Sequence, residues 1–513
     1  MIYTINHMRS SSRIVVNTLV QYVRTIINML LSLYSSRLVL DILGVDDFGI
    51  YVLVAGVVSM LSFVTNSLMG STQRFLSFHK GKGDVENLKN IFNNSLILHI
   101  FLGLCVTVLL EVFSLFLFDN MLNVPLNRIG AAKVLYQFVV WMVYIAFIAS
   151  PFRALLIAHE NIVYTSIMDV LDGILKVLLV VMMSLISGDK LLIYGVIMLC
   201  IQVFNLLTYS TYCYFKYEEC IIPRLSKFNF KYVKELSVYT GWMIYSTLVV
   251  TGKNQGVALV LNKFFNVATN AAYGIGGQIS GMLSYVSQSF YSAISPQLMA
   301  AEGAGCRQRM LMLAEVQSKF SFLLLAMLAI PSMFEMGALL SFWLGTVPNH
   351  AVMFACAFLF MQTLDQLSQG LGQANRAIGN IGKYTLVTYS PKLVIIPLAW
   401  GLFSLGKSLF YVMTAMILIE YLCMLLRIWL FRNMEGFQIW DYCHNVLVIT
   451  NIPVVFSIAI CYIIVCFIDV PWRFILTYAI SISIFVLSSY TLALKTSERE
   501  MIKGVIKRIK NRG

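Results

Sequence analysis

The chain has 513 residues, of which 59% are hydrophobic and only 12% charged, with a formal net charge of +13. An ordinary soluble domain carries about 25% charged residues, so this composition excludes a soluble fold and predicts an all-α polytopic membrane protein. In such a chain the basic charge is first a topology signal, and nucleic acid is not expected as a partner.

Runs long enough to cross a hydrocarbon core of roughly 30 Å are predicted near 14–40, 48–68, 91–118, 132–156, 162–186, 191–215, 236–261, 268–297, 314–340, 350–373, 384–403, 408–431, 445–468 and 473–494. The first exceeds a signal-peptide core of about 7–15 residues and is read as a retained span. It contains NTLVQYVRTIINMLLSLYSSR, in which Asn17, Gln21, Arg24, Asn28, Ser32 and Ser35 recur every three or four residues. They share one helix face, which must meet protein or water, because a charge at mid-membrane costs about 2.5–3.5 kcal/mol on insertion scales.

The next loop, LDILGVDDFG, is acidic. Span 2 adds Ser59, Ser62, Asn66 and Gln73, and span 3 carries Glu111. Span 5 holds Asp169, Asp172 and Lys176, the last two spaced to pair along one helix. Lys253 interrupts span 7, and span 8 offers Ser280, Ser284, Gln288, Tyr291 and Ser295. Its GIGGQISG is read as small residues for helix packing rather than a dinucleotide loop, since no strand precedes it. Glu335 lies in span 9, and span 10 aligns Gln362, Asp365, Gln369 and Gln373. Pro391 and Pro397 interrupt span 11. Span 12 ends with Glu420 and Arg427, the arginine near enough to the end for snorkelling to account for it. For each buried charge the simplest role is an interhelical contact that fixes packing. Arg24 and Lys253, with Lys176, point further, to a cationic cavity and an anionic substrate.

Lys and Arg gather in alternate loops: Arg9 and Arg13; Arg74 to Lys89; Lys216 to Lys234; Arg307 and Arg309; Arg376 and Lys383; and the tail from Lys495. Both termini are therefore expected in the cytoplasm. The ten cysteines form no CxxC pair, and neither disulfides nor a metal site is expected. In the tail, Met501, Ile502, Val505, Ile506 and Ile509 predict a surface helix.

The chain also matches itself at an offset of about 222 residues. Tyr51 falls on Tyr273, MLSFV (60–64) on MLSYV (282–286), Gly81 and Gly83 on Gly303 and Gly305, and, with small drift between segments, Val124-Pro125 on Val347-Pro348. Six spans fit in the offset, so the copies face the same way, a parallel repeat about the membrane normal. The predicted domains are an N-lobe (1–222, spans 1–6), a C-lobe (223–434, spans 7–12) and a terminal helix pair with a basic tail (435–513).

With this plan, with SRIVVNTLVQYVRTIINMLLSLYSSRLVLDILGVDDFGIY, and with its two Val-Pro outer loops, the chain resembles the polysaccharide and O-antigen repeat-unit flippases of the MOP exporter superfamily. The resemblance implies a non-enzymatic transporter of the bacterial inner (cytoplasmic) membrane. It would move an undecaprenyl-pyrophosphate-linked oligosaccharide between leaflets by alternating access, with membrane lipid around it and a polysaccharide polymerase as a functional partner. Substrate contacts are expected from Gln21, Arg24, Asn28, Asn66, Lys253 and Gln288. No cofactor is expected; coupling to a proton or sodium ion would use Glu111, Asp172, Glu335 or Asp365. Two alternatives stand: a multidrug cation antiporter of the same superfamily, which should have an acidic cavity, and a polyprenyl-sugar-dependent glycosyltransferase using Asp46 and Asp47.

Overall fold

The computed structural model describes residues 2–59, 61–118, 125, 127–470, 472–496 and 498–500. The predicted tail face, Val124 of the first Val-Pro loop and Met60 of MLSFV lie outside them. Among the described residues every regular element is helical.

Helix α1 (Ile2–Ser59) contains one non-helical residue, Gly44, at φ 76° and ψ 171°. Only glycine takes that conformation without a steric penalty, so the Leu-Gly-Val of the acidic loop divides α1 into two rods. The next helix is α2 (Ser62–Lys82). Asp84 caps α3 (Val85–Phe116) by accepting from the Asn87 amide, and Asp189 caps α6 (Lys190–Lys216) through Leu191. Between them run α4 (Ile129–Ala158) and α5 (Ile162–Met183). Then follow α7 (Phe230–Phe264), α8 (Val267–Gly303) and α9 (Arg307–Phe334) with its short continuation α10 (Met336–Leu344).

After α11 (Ala351–Ile378), the eleventh span is three pieces: α12 (Gly382–Tyr389), a 3₁₀ segment Ser390–Val394 and α13 (Ile395–Ser404). Pro391 opens the 3₁₀ segment, where its missing N–H and its clash with the preceding turn end the α-helix. The last spans are α14 (Leu409–Phe431), then α15 (Ile439–Tyr442) joined by a π-turn to α16 (Ile449–Phe467), then α17 (Arg473–Ser488). Ten of the described rods are long and apolar enough to cross a membrane. The other four predicted spans are the polar ones: the rod after Gly44 with α2, α5, α7 and α8.

The chain divides into two compact units, Leu19–Ile244, and the described residues of Met1–Thr18 with Tyr245–Gly513. Each boundary falls inside a helix, α1 or α7, rather than in a loop. In the first unit α3, α4 and α6 approach closely at small residues. A methyl on Gly103 would stand 3.0 Å from Phe147, and one on Gly195 2.7 Å from Phe138. At one end Arg128 ties two segments: it donates to both oxygens of Asp47 (2.8 and 2.5 Å) and both of Asp189 (2.7 and 2.9 Å). These hydrogen bonds hold the Asp189 carboxyl below the usual carboxylate range. They also occupy the carboxylate that the glycosyltransferase reading needs as Asp47; Asp46 is exposed beside it.

In the second unit α8, α9 and α11 form the packed centre, and α16 and α17 lie on α9. Glu335, 2% exposed, accepts from Arg473 (2.9 and 3.2 Å) and Thr477 (2.8 Å), so the expected ion-coupling carboxylate fastens the terminal pair. Among the described glycines the closest approach is at Gly370 of α11, where a Cβ would lie 1.8 Å from the Ala314 carbonyl oxygen of α9. Gly370→Ala must push two backbones apart, and an overpacking cost of about 1–3 kcal/mol or more is expected. The check is the thermal unfolding midpoint in detergent, with Gly337→Ala, a site with nothing within 4 Å, as the control that should not move.

Candidate functional site

A cavity of about 440 Å³ opens within the second unit. One wall is α8, where Gly274, Gly277, Ser280, Gly281 and Ser284 recur at helical spacing. A Cβ at Gly274, Gly277 or Gly281 would meet nothing within 4 Å, whereas one at Gly276 would strike Phe354 and Ala355 at 2.9 Å. The glycine-rich stretch therefore divides its work: Gly276 packs against α11, as read from the sequence, and the other three leave room.

The opposite walls supply charge. Asp365 and Gln369, one turn apart on α11, share a face, and the Gln369 amide donates to Asp365 Oδ2 at 2.7 Å. Glu420 and Arg427 lie two turns apart on α14. The break at Pro391 turns Lys392 into the same space, and α7 contributes Lys253 and Asn254. Glu420 Oε1 accepts from Lys253 (3.1 Å) and Lys392 (3.0 Å), and Lys392 also stands 2.7 Å from Oε2. Arg427 donates to Asp365 Oδ1 (2.7 Å) and Ser368 (3.2 Å), with Lys392 Nζ 4.0 Å from that carboxylate. The Tyr389 ring lies under both Lys392 and Arg427, at 5.6 and 5.7 Å, in cation–π range. Lys253, Lys392, Arg427 and Glu420 are all buried. Three cations thus face two carboxylates, a formal excess of one positive charge in low-dielectric surroundings, where charge acts far more strongly than in water.

The first unit repeats the ratio with different residues. Asp169 Oδ2 accepts from Arg24 of α1 (2.9 Å) and Arg153 of α4 (2.8 Å), and Tyr209 donates to its other oxygen (3.4 Å). One turn on, Asp172 pairs with Lys176 (2.7 Å) and accepts from Asn205 (2.7 Å). Again three cations meet two carboxylates. Helix α1 reaches α5 because Gly173 has no side chain: a methyl there would stand 2.9 Å from Leu31 and 3.5 Å from Asn28 Oδ1, an oxygen that is buried without a partner among the described residues.

The expected residues are therefore distributed unevenly. Lys253 and Asp365 meet in one cluster, Arg24 and Asp172 in the other, with Asn28 beside it. Gln21 is buried one turn before Arg24; Asn66 and Gln288 are exposed, and Gln288 lies beyond the cavity wall. Glu111 accepts from Gln137 at 3.0 Å on an exposed face of α3. The carboxylate that meets Arg24 comes from α5 rather than from its own helix. One expectation is corrected. Arg427 does not snorkel: it is 3% exposed and ion-paired. Sequence reasoning missed Arg153 and Lys392 as members of the clusters. The signal for Lys392 was present, a cation immediately after a helix-breaking proline inside a span.

Several solved structures share this architecture. A MATE transporter in a bent conformation superposes with a TM-score of 0.72 at 15% identity, covering 86% of this chain and 99% of that one. An outward-facing multidrug resistance MATE family transporter gives 0.70 at 15%, over 84% and 96%. A MOP superfamily transporter from Pyrococcus furiosus gives 0.68 at 15%, over 82% and 95%. The fold is that of the MOP-superfamily transporters. No family model matches the sequence. Among curated proteins, the uncharacterized membrane protein EpsK of Bacillus subtilis (strain 168) is 21% identical over 324 residues, 62% of this chain and 63% of that protein, so the match spans less than two thirds of the relative's length. The Pyrococcus MOP-fold transporter is described as having a binding pocket of reversed polarity that suggests a different function.

Proposed function

We infer that the protein is a transporter that carries an anionic amphiphile, an undecaprenyl-pyrophosphate-linked oligosaccharide, to the outer leaflet of a bacterial cytoplasmic membrane. The observation that carries this reading is the charge of the cavity, with Lys253, Lys392 and Arg427 over Asp365 and Glu420. A diphosphate can share those cations with the carboxylates, while the many hydroxyl and amide groups of Gln362, Gln369, Ser280, Ser284 and Asn254 suit a sugar. Direction follows from the membrane potential: for a head of about two negative charges, roughly 100 mV, inside negative, favours outward movement by about 4–5 kcal/mol. In this reading the basic loops and both termini face the cytoplasm, and a polysaccharide polymerase consumes the product.

The second reading, a multidrug cation antiporter, is favoured by the likeness to MATE structures. It asks a cation to enter a cavity that already has an excess of positive charge. Binding separates the two. Purified protein in lipid nanodiscs is expected to retain a polyprenyl diphosphate and to ignore tetraphenylphosphonium, and Lys392→Gln is expected to weaken the diphosphate by about tenfold or more, the loss of one charge-assisted contact. Saturable tetraphenylphosphonium binding with none of the diphosphate would reverse the assignment.

A further inference from the structure

The segment joining α6 to α7 has an unusual surface. From Ile222 into the first turns of α7 it carries Arg224, Lys227, Lys231 and Lys234, with Glu218 and Glu219 before this stretch and Glu235 after it. Among those cations Ile222, Leu225, Phe228 and Phe230 are 67, 79, 46 and 68% exposed. Before α7 begins its only regular structure is a 3₁₀ turn, Leu225–Lys227, so its own backbone bonds do not hold it in place.

Two fully buried side chains of α3 do. Asn93 accepts from the Arg224 amide (2.7 Å) and donates to the Arg224 carbonyl (3.2 Å). Asn94 accepts from the Asn229 amide (2.7 Å) and donates to the Lys227 carbonyl (3.3 Å). The backbone of the segment is pinned while its apolar and cationic side chains stay exposed. Beside it an apolar cavity of about 340 Å³ is lined by Leu96, Phe152, Tyr214, Phe215, Ile222 and Pro223. Among the described residues Arg224, Lys227 and Lys231 make no ion pair. A surface facing water gains nothing from such apolar exposure. Apolar side chains alternating with cations at the ends of spans match the boundary between acyl chains and headgroups.

We propose that this segment is a docking site for an anionic phospholipid of the adjacent leaflet, with an acyl chain in the cavity beside Phe152 and Phe215 and the phosphate on Arg224, Lys227 and Lys231. The chemistry selects the occupant: a free phosphate would leave the apolar cavity unused, and a zwitterionic lipid would leave the cations unneutralised. This proposal does not depend on which substrate the transporter carries.

The test uses the full chain in phosphatidylcholine nanodiscs doped with either phosphatidylglycerol or phosphatidylcholine bearing a diazirine on the acyl chain. After photolysis, labelled peptides are mapped. Labelling of residues 210–231 is expected to be at least about fivefold higher with the phosphatidylglycerol probe, and to fall towards the phosphatidylcholine level in 0.5 M salt, on the order of a 4 Å Debye length. The variant Arg224→Gln/Lys227→Gln/Lys231→Gln should lose the preference and keep its thermal midpoint. Equal labelling by both probes in the unmodified protein, absence of label from this segment, or displacement of the probe by undecaprenyl phosphate would each overturn the proposal; the salt response of the unmodified protein needs no variant to fold.

Discussion

Glu420→Gln is expected to destabilise the protein by about 3–5 kcal/mol, because it leaves Lys253 and Lys392 buried with one neutral amide between them. The carboxylate is the only acid within 3.1 Å of either lysine among the described residues, Asp365 standing 4.0 Å from Lys392, and both lysines keep little exposed surface. The measurement is the unfolding midpoint of detergent-solubilised protein, read by fluorescence. Adding Lys253→Met to Glu420→Gln removes one stranded cation and should recover part of the loss, a positive coupling on a double-mutant cycle. A single variant that melts with the parent would mean that the cluster is hydrated.

Arg24→Glu should abolish export while leaving the protein at its normal level. The new carboxylate would face Asp169, and Arg153 alone cannot neutralise both; like charges set against each other cost several kcal/mol. Arg24, Arg153 and Asp169 keep 24, 36 and 17% of their side-chain surface exposed, so water softens the structural penalty, and the loss should appear in transport first. A drop of at least about tenfold, equivalent to about 1.4 kcal/mol, is expected in surface polysaccharide of a strain carrying only the variant. Arg24→Lys, which keeps the charge and one donor, should retain part of the activity. Normal polysaccharide from the Arg24→Glu strain would remove Arg24 from the transport path.

The rods were legible in the sequence because they depend on local properties. Leu-Gly-Val after an apolar run announced the break at Gly44, and Pro391 the break in the eleventh span. The polar stripe through Asn17, Gln21, Arg24 and Asn28 announced a face that cannot meet lipid. Periodicity tells which side of a helix is polar and is silent about which helix it meets. Arg24 and Asp169 are 145 residues apart, and Lys253 and Glu420 are 167; no spacing rule connects them. Arg427 was misread for the same reason, since distance from a helix end measures depth only when nothing else covers the side chain. Glu335 looked like Asp365 in sequence, an isolated acid in a span, until the structure gave it Arg473 and Thr477.

The bare wall of α8 separates two kinds of selectivity. Charge in the cavity is set by α7, α11, α14 and the Ser390–Val394 turn, while its bore is set by three missing side chains on a helix that contributes no ion to it. A methyl added at Gly274, Gly277 or Gly281 narrows the chamber without breaking an ion pair, so the size of the cargo and the sign of its charge are free to drift separately among descendants of this chain.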